Sequence, residues 1–295
     1  FYNKMKIFII LDKKEFFKKD KNTYLLVSGN KSIGYKRNLA VKFCKTEYIC
    51  FIDSDAYPNT HWLDQVDKTF KKYKKAGAIG GPNLSPISKN IEKTLVSRLR
   101  KFSFVTLNTA VKSTQLKEGA ISFLPSCNLI LKRKVYNKVG GMYEGLYSSE
   151  EISLNKKLKK SNFKIIFNPK IYVFHKDRNI KHFFRQRFIY GSTGIKTFIM
   201  FPCRESFLVL ISSLPIIFIL TFPFVLLSKS FFAFYIIGIS LLSMICLIIT
   251  FKINYSNHFF KSLKLSLISI FGPGIGLVFN LLLKNDTLKK LYTQK

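Results

Sequence analysis

The chain has 295 residues and a formal net charge of +33, from 49 Lys and Arg against 16 Asp and Glu. This length holds one catalytic-sized domain plus further segments, and the charge suits anionic partners such as nucleotide diphosphates, lipid phosphates or an acidic membrane surface. Nucleic acid also fits that charge but is not the expected partner, since joint richness in Phe, Ile, Lys, Asn and Tyr is a bias that AT-rich coding can produce without selection for binding; the five cysteines lack C-x-x-C spacing and read as buried free thiols, so the soluble part is expected in a reducing cytoplasm.

The chain starts on Phe1, and a strand-like run over 7–11 follows almost at once, so a preceding segment carrying a first strand is expected to be missing. From Lys6 to Lys176, short apolar runs alternate with longer Lys-rich amphipathic stretches, the pattern of βα units. The spacing predicts strands over 7–11, 24–28, 48–52, 78–80, 124–131, 163–167 and 171–174, and helices over 35–44, 62–74, 91–108 and 150–160. Residues 1–177 therefore read as an α/β domain with a mainly parallel, Rossmann-like sheet.

Over 178–204 the character changes: Arg178, Lys181, Arg185, Arg187, Lys196 and Arg204 interleave with Phe183, Phe184, Phe188, Tyr190 and Phe198. That mixture suits a segment lying in the headgroup region of a bilayer, although a solvated helix packed on the domain fits nearly as well. Residues 205–295 read as a membrane region. The 21 residues of 207–227 and the 22 of 230–251 carry no charge, and each is long enough to cross about 30 Å of hydrocarbon as a helix. The link between them allows only a tight hairpin, which puts Arg204, Lys252, Lys261 and Lys264 on one side, cytoplasmic by the positive-inside rule. A third apolar run, 265–283, is interrupted by Gly272-Pro273-Gly274 and Gly276, and the basic tail after it favours a return over a full crossing.

Three local patterns carry chemistry. The apolar run 48–52 ends in Asp53-Ser54-Asp55, placing two hard oxygen ligands at a strand's carboxyl end, where α/β sheets bind ligands and where Mg²⁺ or Mn²⁺ is held together with substrate phosphates. The plainer alternative is that both acids cap the turn before Pro58 and the helix after it. Lys36 and Arg37 stand at a helix start, against the helix dipole, a conflict that a nearby anion removes. Ser148-Ser149-Glu150-Glu151 opens a helix, and Ser148 with Glu151 has the spacing of a capping box; the alternative makes one carboxylate a general base toward an acceptor hydroxyl. His175 ends the run 171–174 and stands where a metal ligand or proton carrier could act.

Taken in order, these motifs resemble the family-2 glycosyltransferases of the GT-A fold, over nearly the whole chain. Ile33-Gly34-Tyr35-Lys36-Arg37-Asn38 is similar to the family's Gly-x-x-R-N helix start, and Phe51 to Asp55 to its D-x-D strand end. Pro125-Ser126-Cys127-Asn128 and Val139 to Glu144 resemble the acceptor-side stretch, Glu150-Glu151 falls at the E-D motif, and Asn168 to His175 is similar to the strand pair that follows.

The resemblance implies inverting transfer of a sugar from a nucleotide-diphosphate donor, assisted by Mg²⁺ or Mn²⁺; the C-terminal spans, by holding the site beside the bilayer, lead to the expectation of a glycan or lipid-linked acceptor at the cytoplasmic face. The resemblance also implies Asp55 with Asp53 as metal ligands, Asp12, Lys36, Arg37, Asn38 and Asp53 near the nucleotide-sugar, and Glu151 as the catalytic base; His175 as a further metal ligand and Glu150 as a second catalytic acid are expected from the local patterns above. Two departures stand out: Glu151 replaces the family's usual Asp, and Gln186-Arg187 only partly matches the Q-x-x-R-W motif of processive members. The rival readings are a catalytically degenerate member and a basic, membrane-tethered protein that binds nucleic acid or lipid.

Overall fold

The computed structural model describes residues 6–11, 23–102 and 117–282. In chain order these form β1 (Ile7–Leu11), β2 (Thr23–Val27), α1 (Ile33–Phe43), β3 (Tyr48–Ile52), β4 (Ala56–Pro58), α2 (Trp62–Lys72), β5 (Ala76–Gly80), β6 (Asn83–Leu84), α3 (Ile91–Lys101), β7 (Gly119–Ala120), β8 (Asn128–Lys132), α4 (Arg133–Lys138), α5 (Glu150–Lys160), β9 (Lys164–Phe167) and β10 (Val173–His175). There follow α6 (Ile180–Met200), α7 (Arg204–Ile211), α8 (Leu214–Leu220), a 3-10 stretch (Phe222–Leu227), α9 (Lys229–Ile253) and α10 (Phe259–Leu282). The described residues divide into two compact units, 6–82 with 117–173, and 83–102 with 174–282.

The first unit is the expected α/β fold with one correction: its sheet is mixed rather than mainly parallel. Five strands lie in the order β3-β8-β5-β9-β7. Strand β8 runs antiparallel to both β3 and β5, β9 is parallel to β5, and β7 is antiparallel to β9. β1 and β2 form a separate parallel pair. Direction was illegible because Asn128 to Leu131 are buried on both faces, and a continuous apolar run fits either orientation. The predicted strand over 124–131 therefore also started four residues early, since its first part is a loop.

Strand β5 reads Ala-Gly-Ala-Ile-Gly and is buried throughout. Small residues are needed there, because a Cβ on Gly80 would collide with the Asn128 carbonyl oxygen. One face of the sheet is covered by Trp62, Val66 and Phe70 of α2, packed on Ile79, Ile130, Ile166, Ile171 and Val173; each such side chain contributes about 1.5–3 kcal/mol when fully buried. The Trp62 indole N–H donates to Asn128 Oδ1 at 3.1 Å, and Asn128 Nδ2 donates to the carbonyls of Gly81 and Ile171. The lone tryptophan and one buried amide thus pin α2 to the end of the sheet.

In the second unit, α3, α6, α9 and α10 share a core of Leu95, Val96, Leu99, Ile180, Phe183, Ile249, Ile253 and Leu265. Asn90 caps α3 and Asn179 caps α6 through their side chains, and the Ile180 amide donates to Glu92 Oε2 at 3.1 Å. Helices α9 and α10 are each long and apolar enough to cross a membrane. The run 207–227, expected as one crossing helix, is instead broken into pieces, with Pro215 near the start of α8 and Pro223 near the start of the 3-10 stretch, where proline's fixed φ and missing N–H favour a new start over continuation. Conversely, α10 continues through Pro273. There Gly191 of α6 lies against the Pro273 backbone and Gly276 against that of Phe188, so neighbouring backbone packs around the proline as small residues in apolar helices permit.

Candidate active site

The site grows from the two ends of the first unit's sequence reading and meets at one side chain. Ser32 caps α1, accepting from the Tyr35 amide at 3.2 Å and donating to the Glu144 carbonyl at 2.6 Å. Gly34 lies so close to the Tyr143 carbonyl that a Cβ would clash with it. These contacts hold the first turn of α1 against the 142–144 segment and aim Arg37 inward.

Arg37 Nη2 donates to Asp53 Oδ1 at 3.1 Å, and its Nη1 donates to Glu150 Oε1. Its guanidinium lies over the Phe51 ring, 5.6 Å from the centroid. One cation thus joins the strand-end acids to the acids that open α5. Burial alone would lower the Arg37 pKa, but Glu150, Asp53 and Glu151 outweigh it and the pKa is raised. Arg37 therefore stays charged, and its conflict with the helix dipole is resolved by the protein's own carboxylates.

Asp53 and Asp55 follow β3 directly, and each offers a carboxylate oxygen within 4.8 Å of the other's. Neither acid caps α2, whose N-cap is His61 without a side-chain bond. The Asp53 side chain is 32% exposed while that of Glu150 is 4% exposed, so a ligand reaches the first and not the second.

The capping box read from Ser148 and Glu151 does not form. The N-cap of α5 is Ser149, held in the left-handed region at φ 62° with no side-chain cap bond, a strained conformation for a non-glycine residue. The helix start is shaped instead by Ser153 Oγ, which donates to the Glu150 carbonyl at 2.7 Å and accepts from the Tyr143 amide. Asn155 Nδ2 donates to the Glu151 carbonyl at 2.7 Å and to the Leu124 carbonyl at 3.0 Å. Ser126 Oγ donates to Glu150 Oε1 at 3.2 Å.

The two glutamates have different surroundings. Glu150 is buried against Arg37 and Ser126. Glu151 has its pKa pushed up to about 8, first by burial and then by the neighbouring charge of Glu150. A carboxyl whose pKa is raised in this way suits a group that carries a proton.

Asn38, expected near a nucleotide, spends its amide on the chain: Nδ2 donates to the Met142 carbonyl and to Glu144 Oε1, and Oδ1 accepts from Tyr136 Oη at 2.5 Å and the Met142 amide at 3.1 Å. Lys36 stands on the same first turn of α1. His175 ends β10 and is buried, in the second unit. Asp12 lies outside the described residues. Sequence reasoning missed Ser126 and Asn155 as supports of the glutamates, although both are polar residues beside apolar runs, which is the signal that could have found them.

Residues 10–140 match the model of glycosyl transferase family 2. The pre-mycofactocin glycosyltransferase of Mycobacterium tuberculosis, in strains CDC 1551 and H37Rv, is 21% identical over 180 residues, 59% of this chain and 36% of the relative; the chain thus spans about a third of the length of the curated relatives it matches. Among solved structures, GalNAc-T7 with UDP, GalNAc and Mn²⁺ is similar at 12% identity and a TM-score of 0.40, covering 63% of this chain and 44% of that one. S. aureus TarS 1–349 in complex with UDP-GlcNAc is similar at 15% identity and a TM-score of 0.38, covering 62% and 52%.

Proposed function

We propose, on the match of residues 10–140 to the model of glycosyl transferase family 2, that the protein transfers a sugar from a nucleotide-diphosphate donor to a hydroxyl acceptor, with inversion at the anomeric carbon. The observation that carries this reading is Arg37, whose guanidinium holds Asp53 of the strand end and Glu150 of α5 at once. Two acidic motifs about a hundred residues apart in sequence serve one site.

Glu151 takes the proton of the acceptor hydroxyl. The acceptor oxygen attacks the anomeric carbon from the face opposite the donor oxygen, forming the new glycosidic bond while the bond to the nucleoside diphosphate breaks and the electron pair leaves with the diphosphate. Burial, with the neighbouring Glu150 adding to it, keeps the Glu151 carboxyl reluctant to ionise, which makes Glu151 a stronger base once it is deprotonated.

Asp53 and Asp55 fit a hard divalent cation, Mg²⁺ or Mn²⁺, because both offer carboxylate oxygens close together and at least the first is partly exposed. His175 is proposed as a further ligand on its strand-end position in the sequence. The bound ion supplies neutralisation of charge on the departing diphosphate. Lys36 serves the donor phosphates, Asp12 the base or ribose, and Asn38, with its amide engaged by the 136–144 segment, positions the helix that carries Arg37.

The apolar helices α9 and α10 support a membrane-bound enzyme acting at the cytoplasmic face on a lipid-linked or cell-surface glycan. Purified protein incubated with a panel of nucleotide-sugars is expected to release nucleoside diphosphate from at least one donor only when Mn²⁺ or Mg²⁺ is present. Release that persists in EDTA would count against the proposal.

A further inference from the structure

Helix α9 has two unlike faces. Cys246, Ile249, Thr250 and Ile253 are buried; Ile249 and Ile253 pack among Leu95, Val96 and Leu99 of α3, and Thr250 Oγ1 donates to Ser266 Oγ of α10 at 3.0 Å. The other face is open. Ser240, Ser243, Leu247, Ile248, Phe251 and Lys252 line a groove of about 720 Å³ along it, a volume within the range of small-molecule sites. These positions recur every three or four residues, so they form one stripe of the helix. The small side chains of Ser240 and Ser243 leave a depression between bulkier neighbours.

One end of the groove is basic. Lys252 closes it, and Arg98 of α3 reaches the same point: its Nη2 donates to the Lys252 carbonyl at 3.2 Å, and its guanidinium lies over the Tyr255 ring, 5.6 Å from the centroid. That bond holds the cation at the carboxyl end of α9, where positive charge is favoured. Arg98, Lys252 and Tyr255 are all exposed, and among the described residues neither cation pairs with a carboxylate. From Lys252 back to Ser240 the stripe runs about 18 Å, at a helical rise of about 1.5 Å per residue. This is close to half of the roughly 30 Å hydrocarbon core of a bilayer. The stripe is therefore about one leaflet deep, charged at its end and apolar along its length.

We propose that this stripe binds an anionic phospholipid, with its phosphate on Lys252 and Arg98 and one acyl chain along Phe251, Leu247 and Ser243 toward Ser240. The inference rests on the reading of α9 as a bilayer helix. A free phosphate would engage the two cations and leave the groove unused, whereas the lipid engages both. A second copy of the chain is disfavoured, because α9 carries no acid and a parallel pairing of two such stripes sets Lys252 against Lys252 without compensation. A lipid held there bridges α3 and α9 through its headgroup, and it makes the second unit responsive to the anionic content of the leaflet.

The test uses the full chain in detergent, incubated with equimolar phosphatidylglycerol and phosphatidylcholine, repurified, and its retained lipid extracted and counted. Phosphatidylglycerol is expected to be retained in clear excess. Lys252→Ala and Arg98→Ala are each expected to lower that retention about fivefold, and Ser243→Phe to lower it by filling the groove while both charges remain. Lys261→Ala, on an exposed residue of α10 outside the stripe, is expected to leave retention unchanged. In a parallel arm the chain is reconstituted with vesicles of phosphatidylcholine alone and floated, which reads the membrane assignment by itself. The inference alone is overturned if the chain floats with these vesicles yet retains the two lipids equally, or if Lys261→Ala reduces retention as much as Lys252→Ala does. It is likewise overturned by a lipid-free dimer that Ser243→Phe dissolves, since a second copy then occupies the face. A chain that does not float overturns it together with the membrane reading.

Discussion

Two partly buried arginines, one in each unit, carry opposite lessons. Arg37 is surrounded by carboxylates, with Asp53 and Glu150 in contact and Glu151 close enough to raise its pKa; Arg187 lies over the Phe183 ring and, among the described residues, forms no ion pair, and burial lowers its pKa. The same residue type therefore organises carboxylates in one place and rests on a ring face in the other. Where the protein supplies its own anions, the cation fixes the geometry of a site. Where it does not, the guanidinium lies against an aromatic ring instead.

The comparison is broken most severely on the side of the paired arginine. Asp55→Ala removes a proposed cation ligand and is expected to lower turnover by about 10³-fold, the equivalent of several kcal/mol of charge stabilisation, measured as nucleoside diphosphate released at saturating Mn²⁺. Glu151→Gln removes the proposed base and is expected to cost about 10²–10⁴-fold in turnover with donor affinity preserved.

The raised pKa of Glu151 sharpens that second result. A base must be deprotonated to act, so the rate is expected to fall as pH drops through about 8, the value of this carboxyl, and the limb should vanish in whatever activity Glu151→Gln retains. For stability the direction is reversed. The folded state holds this proton more tightly than the unfolded chain, so the contribution is fully present below the ordinary value of 4.5 and is lost as pH rises through about 8. Thermal unfolding followed across that window should show a decline that Glu151→Gln flattens; a parallel pair of curves would speak against the assignment.

A smaller effect is expected where Arg37 is made to resemble Arg187 by removing its buried partner. Glu150→Gln leaves the guanidinium with Asp53 alone, and breaking a buried ion pair costs about 3–5 kcal/mol of stability, readable as a lower denaturant midpoint. The smallest effect belongs to Asn38→Ala, which strips partners from Tyr136, Glu144 and the Met142 backbone and is expected to cost about 1–3 kcal/mol. Its signature as a positioning residue is a lowered kcat with little change in KM for the donor.

Much of this arrangement was legible in the sequence. The helix over 150–160 and the strand over 48–52 have the predicted bounds, because a strongly amphipathic Lys-rich stretch and an apolar run that ends in Asp-x-Asp leave little freedom. Strand direction was not legible: β8 is apolar on both faces, and its neighbours are set by tertiary pairing rather than by its own pattern. The capping box was a false local signal, since Ser149 rather than Ser148 ends up at the cap and in a left-handed conformation that no spacing rule anticipates. The pairing of Arg37 with both acid motifs was also hidden, because its partners lie 16 and 113 residues away. What the sequence did offer was the anomaly of an arginine in the first turn of a helix, which asked for an anion without saying whose.

The most direct measurement is a side-by-side donor-hydrolysis and transfer assay over a panel of nucleotide-sugars, with Mn²⁺ and with EDTA, on wild type, Asp55→Ala and Glu151→Gln. If the strand-end acids and the α5 acids serve one reaction, wild type turns over at least one donor in the presence of the ion, and each substitution alone suppresses that same turnover by orders of magnitude. Metal-independent turnover, or turnover that either substitution leaves intact, would contradict the account.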